Sequence, residues 1–523
     1  MTVTFVFTIA ACQPTGDSAT TELKRDTTIT KANAYSDLFF DSVRLENYVA
    51  RSGWHDSLKK AIHNFYNGRN YQYSWFTQQG LTEQAFAFEN MLEEYISYSG
   101  DSAAFNRSVK QMLDSAVEDS QYLMLNDSTR FGFEMSMSAS FLRYARRAYQ
   151  GNIALQEKDL NWFIPRKRLN VVALLDSFTK APNGLATEPV NQQYKRLRSF
   201  LLRYHELEKK GGFPIIPIEK KGYTLGDSSA NISAIKIRLS STGDYVQHDT
   251  SAIFTDELKI AVMRFQQRYG LKEDGVAGGQ TLRLMNEPVA RRIEQILVNM
   301  ERMRWVPAQP TGDFILVNIP QYRLTVYEDG EPSFGMNIVA GTTQNKTVIF
   351  TGNLKHVVFS PYWNVPPGIL KNEVMPAIKR NPSYLSRHHM EKHNGGVRQK
   401  PGPWNSLGKV KFLFPNQYNI YLHDTPSKSL FDEQKRSFSH GCIRVADPPK
   451  LAAWVLRNDK SWTQERIQKA MNAGKEQYVS VKDTLPVYIA YFTAWVDDAG
   501  LLNFREDVYG HDKKMAARLF ADR

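Results

Sequence analysis

The chain has 523 residues, of which 42% are hydrophobic and 12% aromatic, so it can bury the cores of several domains. Its formal charge of +12 is compatible with a polyanionic neighbour such as nucleic acid, an anionic membrane or an acidic envelope polymer, with a solvated basic surface as the alternative. Basic residues are spread along the chain without a nucleic-acid-binding motif, so we expect no nucleic-acid partner, and the two cysteines, Cys12 and Cys442, exclude a disulfide scaffold.

The N-terminal segment has the pattern of an export signal. Residues 3–11 form a short apolar run that leads into Cys12 and a polar stretch, as at a secretory cleavage site. The sequence IAAC resembles a bacterial lipobox, and this resemblance implies lipidation of Cys12. No basic residue precedes Lys24, so a plain signal peptide or an apolar strand stays as an alternative. We expect a lipoprotein signal peptide over 1–12 and a flexible tether over 13–37.

From 38 to 210, apolar residues recur at helical spacing. In LTEQAFAFENMLEEYISYS they lie three to four residues apart, and SMSASFLRYARRAYQG repeats the pattern before Gly151. The stretch contains no cluster of residues that suggests chemistry. We therefore predict a helical scaffold domain in which aromatics such as Trp75 and Trp162 pack in the core.

Residues 211–290 are predicted to form a small module of three helices, followed by a connecting helix over 291–312. Two amphipathic segments precede a Gly-rich turn and a third short helix from Thr281. The stretch AVMRFQQRYGLKEDGVAGGQT resembles the peptidoglycan-binding module, with its A-V-x-x-F-Q, G-L, D-G and G-x-x-T pattern. The resemblance implies that peptidoglycan is a partner, and a generic three-helix bundle is the alternative.

From 313, the hydrophobic period changes to two. The stretch FILVNIPQYRLTVYEDGEPSFGMNIVAG alternates apolar and polar residues around Asp329-Gly330, which is a strong hairpin signal. Further strands follow, with a helix at PKLAAWVLRN. A segment rich in Lys, His and Gly interrupts the strand pattern over about 366–408 and indicates a lid. The sequence thus predicts a multidomain α+β protein whose last domain, 313–523, is mainly β with an inserted lid.

The stretch SFSHGCIRV, residues 437–445, surrounds Cys442 with groups that a nucleophilic thiol uses. His440 lies just before the cysteine, and His423 lies on a predicted strand whose alternation places Tyr421 on the same face. An imidazole next to a thiol can act as its base or, when protonated, as its ion-pair partner. A buried, inert cysteine is the alternative that the Cys-His pair alone would leave open.

Other residues of this stretch have supporting chemistry. Gly441 allows close approach of the backbone to a substrate, and amides around Gly441 and Cys442 could form an oxyanion hole. Arg444 could pair with a substrate carboxylate. Ser439 is expected to hold the loop by hydrogen bonds, and His440 either shapes the loop or supports the oxyanion site.

The full pattern H-x15-SHGCIRV, from His423 to Val445, resembles the signature of the L,D-transpeptidases, whose catalytic domain is of the YkuD type. Matches such as WNVPPGIL, GPWNSLGKVKF and YLHDTPSKSLF extend the resemblance, and the long helical region resembles the scaffold-bearing subfamily of Gram-negative envelopes. The resemblance implies that Cys442 attacks a tetrapeptide stem, releases D-Ala and forms a thioester, which the amine of a second stem opens to give a 3→3 cross-link.

The resemblance also implies roles for residues outside the central stretch. Tyr421 and Trp363 look like substrate contacts, with core packing as the alternative. A backbone carbonyl is the expected acceptor that orients His423, with the Asp424 carboxylate as the alternative. The sequence departs from the family at KTVIF, residues 346–350, where Thr-Pro is usual. Because that proline would only stiffen a turn, the departure leaves the expected chemistry intact.

Several functions share such a site. Water or a D-amino acid as acceptor would give L,D-carboxypeptidase or exchange activity, and a non-catalytic lipoprotein that anchors peptidoglycan is an alternative of another class. We expect no cofactor and no metal. The expected location is the periplasmic side of a Gram-negative envelope with a lipid anchor, and carbapenems are expected to acylate the thiol.

Overall fold

The computed structural model describes residues 23–521 except for 35, 103–106, 119–125, 153–154, 156–159, 182–187, 220, 248 and 308–310. The predicted signal peptide with Cys12 and part of the predicted tether lie outside the described residues. The described chain forms two compact units, the first up to Tyr149 together with Arg168–Glu188, the second made of Gln150–Lys167 and the chain from Pro189 onward. None of the helices in these ranges is both long and apolar enough to cross a membrane.

The first unit is a bundle of helices with one short hairpin. Its elements are α1 (Ser42–Arg51), α2 (Asp56–Asn67), β1 (Phe76–Thr77), β2 (Gly80–Leu81), α3 (Glu83–Ser99), α4 (Arg107–Glu118), α5 (Asp127–Ala145) and α6 (Val171–Lys180). Polar side chains cap several of these helices, as at Asp41, whose carboxylate accepts a hydrogen bond from the N–H of Val43. Trp75 is fully buried with its ring centroid 5.9 Å from that of Phe88, so it packs in the core.

The second unit begins with helices and short strands that precede the main sheet. They are β3 (Trp162–Phe163), α7 (Gln192–Lys209), β4 (Gly222–Tyr223), α8 (Ala230–Ser241), α9 (Asp256–Tyr269), β5 (Ala277–Gly278), α10 (Gly279–Met285) and α11 (Val289–Trp305). Helices α8, α9 and α10 confirm the predicted three-helix arrangement. A buried ion pair between Arg268 and Asp244 lies inside this part of the unit.

The unit boundaries differ from the predicted scaffold limits of 38–210. Strand β3 pairs in parallel with a strand of the main sheet, with Trp162 opposite Ile349, so this short segment belongs to the second unit. The helix predicted over 291–312 begins at Val289 and ends at Trp305. It ends there because a residue that precedes proline avoids the helical region, and Val306, which precedes Pro307, is extended.

The last part of the chain confirms the predicted α+β class, with a large sheet and a few helices. Its elements are β6 (Phe314–Asn318), β7 (Arg323–Glu328), β8 (Glu331–Gly341), β9 (Ile349–Phe359), β10 (Trp363–Asn364), α12 (Pro367–Ile369), α13 (Met375–Arg380), α14 (Tyr384–Arg387), β11 (Met390–His393), β12 (Gly396–Gln399), β13 (Val410–Leu413), β14 (Leu422–His423), β15 (Ser437–Ser439), β16 (Ile443–Val445), α15 (Pro448–Val455), α16 (Gln464–Met471), β17 (Gln477–Ala490), β18 (Ala494–Val496), β19 (Leu502–Phe504) and α17 (His511–Leu519). Asp329 and Gly330 both have positive φ and join β7 to β8, so the predicted hairpin is confirmed.

The main sheet closes on itself. Its strand order is β13-β14-β16-β8-β7-β6-β17-β9, and β13 also pairs with β9, which completes a ring of strands. Apolar side chains from alternate positions fill the interior, including Val317, Val326 and Ile338, each fully buried. The ring holds β14, β16 and β8 side by side.

The segment predicted as a lid is a small folded insertion between β9 and β13. Its strands form a sheet of their own in the order β10-β12-β11, and its short helices cover that sheet. Buried side chains from across the insertion pack together; they are Val365, Val374, Met390 and Val397. A core of this kind makes the lid a subdomain rather than an open loop.

The ion pair of Arg268 gives a stability test. Its Nε donates to Asp244 at 2.8 Å and its Nη1 donates to the carbonyl of Leu502. In Arg268→Ala, the Asp244 carboxylate is left buried without its cation, so we expect a loss of about 3 kcal/mol in the free energy of unfolding, measured by urea denaturation. Arg264→Ala, an exposed arginine of the same helix, should stay within about 0.5 kcal/mol of the wild type. Equal effects of the two variants would contradict the assigned role of the pair.

Candidate active site

The candidate nucleophile lies in a turn between two strands that both pair with β8. Before the turn, β15 runs parallel to β8, and after it β16 runs antiparallel to β8. On its other side, β16 pairs in parallel with β14, with Leu422 opposite Ile443 and His423 opposite Arg444. The turn is therefore held on both sides by the sheet.

The strand register places four predicted site residues on one face. Continued by one residue before each strand, the register places Tyr421 opposite Cys442. Since successive side chains alternate between the faces of a sheet, Tyr421 and His423 then share a face with Cys442 and Arg444. The rings of Tyr421 and His423 lie 5.7 Å apart between centroids. Cys442 is thus beside Tyr421 and diagonal to His423.

Cys442 is a free, half-buried thiol. Burial raises its pKa, while hydrogen bonds from the backbone N–H and hydroxyl of Tyr421 and the positive charge of Arg444 act in the opposite direction. The sulfur contacts the carbonyl oxygen of Asn419 at 3.6 Å. With the pKa raised overall, the resting group at neutral pH is the thiol, and attack on a carbonyl requires a base that removes its proton.

His423 has the protonation state that a base requires. Its Nδ1 lies 2.5 Å from the carbonyl oxygen of Asp424, and since a carbonyl only accepts, Nδ1 carries the hydrogen and the neutral ring has a lone pair at Nε2. Burial and the charge of Arg444 lower the pKa of His423 to about 4. Of the two predicted roles, base or ion-pair partner, the geometry favours the base.

The Asp424 carboxylate has other partners. It accepts hydrogen bonds from the backbone N–H of Lys409 at 2.8 Å and of Thr425 at 2.7 Å, and from the ammonium of Lys428 at 2.6 Å. The group that contacts His423 is therefore the backbone carbonyl of Asp424, and its carboxylate braces the neighbouring chain segments.

Hydrogen bonds inside the turn fix its backbone. The hydroxyl of Ser439 donates to the carbonyl of Cys442 at 2.5 Å and accepts from the N–H of Gly441 at 3.1 Å. Gly441 has a φ of 113°, which only glycine adopts without strain. The Gly441 N–H is thus already engaged, whereas no group in the described part of the chain accepts from the N–H of Cys442. Of these two amides, that of Cys442 is the one whose N–H has no acceptor among the described groups.

Arg444, His440 and Trp363 occupy different surroundings. The Nε of Arg444 is buried without a hydrogen-bond partner among the described groups. His440 is exposed, and its Nε2 lies 2.9 Å from a carboxylate oxygen of Glu373 in the lid. Trp363 packs against the buried core of the lid, as the core-packing alternative expects.

Two residues that the sequence did not single out support the turn. The hydroxyl of Thr347 donates to the carbonyl of Gly441 at 2.8 Å, and the hydroxyl of Tyr509 donates to the carbonyl of Gly341 at 2.7 Å. Thr347 lies in the segment noted for its departure from the family pattern, but its contact with Gly441 joins positions far apart in the chain, and the sequence carries no signal for it.

The described side chains include no group of three or more histidine, cysteine, aspartate or glutamate residues that could hold a metal ion.

Three family models match the chain. Residues 312–488 match the L,D-transpeptidase catalytic domain (YkuD), residues 60–201 match the Scaffold domain, and residues 228–285 match the model described as "Putative peptidoglycan binding domain". These matches cover the β-rich domain, the helical region and the three-helix module in the order that the sequence predicts.

A curated relative and solved structures were also found. The chain is 30% identical over 243 residues to a protein of Haemophilus influenzae described as "Putative L,D-transpeptidase", covering 42% of this chain and 49% of that protein. It thus spans about half the length of this relative. An L,D-transpeptidase of Xylanimonas cellulosilytica is 16% identical with a TM-score of 0.19, over 52% of this chain and 100% of that one. One from Mycobacterium smegmatis is 17% identical with a TM-score of 0.20, over 34% and 58%.

The low pKa of His423 gives a direct test of the site electrostatics. Burial and, second to it, the charge of Arg444 lower this pKa to about 4, so Arg444→Gln should raise the pKa part of the way toward the ordinary value of about 6.5. The measurement is an NMR titration of protein labelled at the histidine rings, with His423→Gln to assign the signal. Lys469→Gln, which removes an exposed cation elsewhere, should leave the titration unchanged. An unchanged His423 pKa in Arg444→Gln would contradict the assigned electrostatic effect of Arg444 on His423.

Proposed function

We propose that this chain, which carries an L,D-transpeptidase catalytic domain with a scaffold domain and a peptidoglycan-binding domain, forms 3→3 cross-links between peptidoglycan stems through a thioester on Cys442. The observation that carries the proposal is the shared face of Cys442, His423, Tyr421 and Arg444. On this face, the thiol is the nucleophile of an acyl transfer and the neutral imidazole is its base. The phenol hydroxyl donates a hydrogen bond to the sulfur, and the guanidinium binds an anionic group of the substrate.

The first half of the reaction forms the thioester. Nε2 of His423 takes the thiol proton, and Sγ of Cys442 attacks the carbonyl carbon of the third residue of a tetrapeptide stem. The carbonyl oxygen becomes an oxyanion that the N–H of Cys442 stabilises. The C–N bond then breaks, the departing D-Ala amine takes the proton from His423, and the acyl group stays on the sulfur.

The second half transfers the acyl group. The side-chain amine of a second stem attacks the thioester carbonyl and gives a proton to His423, and the Cys442 thiolate leaves. One amide has been exchanged for another, so no nucleotide is consumed. A carboxylate of the donor stem pairs with Arg444, whose guanidinium is suited to a forked contact.

The lid bears on the choice of acceptor. Glu373 of the lid contacts His440 of the nucleophile turn, which is the segment 440–442 between β15 and β16. This contact supports a lid that lies beside bound substrate. Exclusion of water from the thioester favours an amine as the acceptor over hydrolysis or exchange. The basic charge of the chain and its peptidoglycan-binding domain fit a substrate that is an acidic envelope polymer.

The reaction is tested with purified protein and disaccharide-tetrapeptide, analysed by mass spectrometry. We expect a dimer formed with loss of one D-Ala. Cys442→Ala should abolish the product, because it removes the nucleophile, and His423→Gln should reduce the rate by about 10²- to 10⁴-fold, because it removes the base. His205→Gln, a histidine of α7 away from the site, is the matched control.

Other products would change the assignment. Tripeptide alone would assign a carboxypeptidase with water as the acceptor, and incorporation of an added D-amino acid would assign exchange. If no product depends on Cys442, the anchoring role without catalysis replaces the proposed activity.

We further propose that Cys12 carries a lipid that holds the chain on the periplasmic side of a membrane, since an apolar run precedes IAAC. In a host with lipoprotein processing, the chain should fractionate with membranes, and its N-terminal peptide should begin with a lipidated Cys12. Cys12→Ser should move the chain to the soluble fraction with catalytic activity unchanged. An N-terminal peptide that retains residues 1–11 would contradict this proposal.

A further inference from the structure

The nucleophile turn rests on a buried hydrogen-bond network from outside the turn. The hydroxyl of Thr347 accepts from the N–H of Gly341 at 3.0 Å and donates to the carbonyl of Gly441 at 2.8 Å. Thr347 is 1% exposed, so neither hydrogen bond competes with bulk water. Both hydrogen bonds therefore connect the end of β8 directly to the peptide that precedes Cys442.

A second side chain holds Thr347 itself. The hydroxyl of Tyr509 accepts from the N–H of Thr347 at 3.3 Å and donates to the carbonyl of Gly341 at 2.7 Å. The N–H of Tyr509 in turn donates to the hydroxyl of Tyr491 at 2.8 Å, whose own hydroxyl hydrogen goes to Asp507 at 2.7 Å. The segment after β19 thus fixes the position of Thr347 through a chain of oriented donors.

The contact at Gly441 has a consequence for the next residue. The carbonyl of Gly441 and the N–H of Cys442 belong to one planar trans peptide and point in opposite directions. The hydrogen bond from Thr347 that fixes the Gly441 carbonyl therefore also fixes the direction of the Cys442 N–H. Ser439 holds the next peptide in the same way, through the carbonyl of Cys442. The Cys442 N–H donates to no described group, and hydrogen bonds to the peptides before and after Cys442 fix its direction.

We propose that Thr347 is a positioning residue, held by Tyr509, that aims the Cys442 amide at the oxyanion of the transition state. The inference rests on the proposed acyl transfer and adds to it a residue outside the nucleophile turn. Loss of the Thr347 hydroxyl frees the peptide before Cys442 to rotate, and the oxyanion loses an oriented donor. Attack on a carbonyl then slows, while the reactivity of the sulfur itself stays the same.

Two kinds of reagent separate these effects. A carbapenem or p-nitrophenyl acetate is attacked at a carbonyl carbon: the S–C bond forms through an oxyanion, and the lactam C–N or ester C–O bond breaks, with the leaving group taking a proton from His423 or departing as phenolate. Iodoacetamide instead reacts by displacement of iodide at its methylene carbon, where no oxyanion forms. The ratio of the acylation rate to the alkylation rate therefore reports on the carbonyl step, in which the oxyanion forms, rather than on the nucleophilicity of the sulfur.

The test compares Thr347→Val with Thr347→Ser, since valine keeps the shape and serine keeps the hydroxyl. We expect Thr347→Val to slow acylation of Cys442 by both carbonyl reagents by about 10- to 100-fold. Intact mass measures acylation by the carbapenem, and release of p-nitrophenolate measures acylation by the ester. At each pH, the rate of alkylation of Thr347→Val by iodoacetamide should stay within about threefold of the wild-type rate. Thr347→Ser should recover most of the acylation rate. Tyr509→Phe should also slow acylation without changing alkylation, and its acylation rate should fall by less than that of Thr347→Val.

Two results would overturn the inference. An equal fall in acylation and alkylation means that Thr347 acts on the fold or on the thiol, and an unchanged acylation rate in Thr347→Val means that the amide is aimed without it. The tetrapeptide assay is read separately. A wild-type chain that is acylated by the carbonyl reagents but forms no dimer overturns the proposed cross-linking, while the comparison at Thr347 keeps its meaning.

Discussion

The parallel register between β14 and β16 is the constraint on which the site depends. With Leu422 opposite Ile443, alternation puts thiol, imidazole, phenol and guanidinium on one face. A slip of one residue would turn the side chains of one strand to the opposite face and separate the thiol from the imidazole. The ring of strands resists such a slip, because β16 is also paired with β8 and β14 with β13, so each partner fixes the register of the next.

Much of the local structure follows from the sequence. Hydrophobic period distinguishes the helical region from the sheet, and Asp329-Gly330 identifies its hairpin because both residues must adopt positive φ. Cys442 and His423 could be identified as nucleophile and base candidates because their neighbours carry complementary chemistry. The protonation state of His423 could not, since it results from burial and from Arg444, which only the folded sheet brings together.

The features that the sequence did not predict depend on contacts between distant segments. Trp162-Phe163 is too short for a period to mark it as a strand, and only its pairing with Ile349-Phe350 assigns it to the sheet. Thr347 and Tyr509 have no local pattern that distinguishes them from other polar or aromatic core residues. Their role arises from buried hydrogen bonds to glycines, which are satisfied only after the sheet has closed.

The ends of the lid insertion have a consequence for how such a protein can diversify. The chain leaves the ring at Phe359 and re-enters it at Val410, and these two residues are paired neighbours on adjacent antiparallel strands. The N–H of Ser360 also donates to the carbonyl of Lys409 at 2.8 Å. A segment with adjacent ends and its own core can be lengthened, replaced or reduced to a tight turn without disturbing the strands that carry the thiol. Natural variation can therefore alter what reaches Cys442 while the strands around this thiol are inherited unchanged.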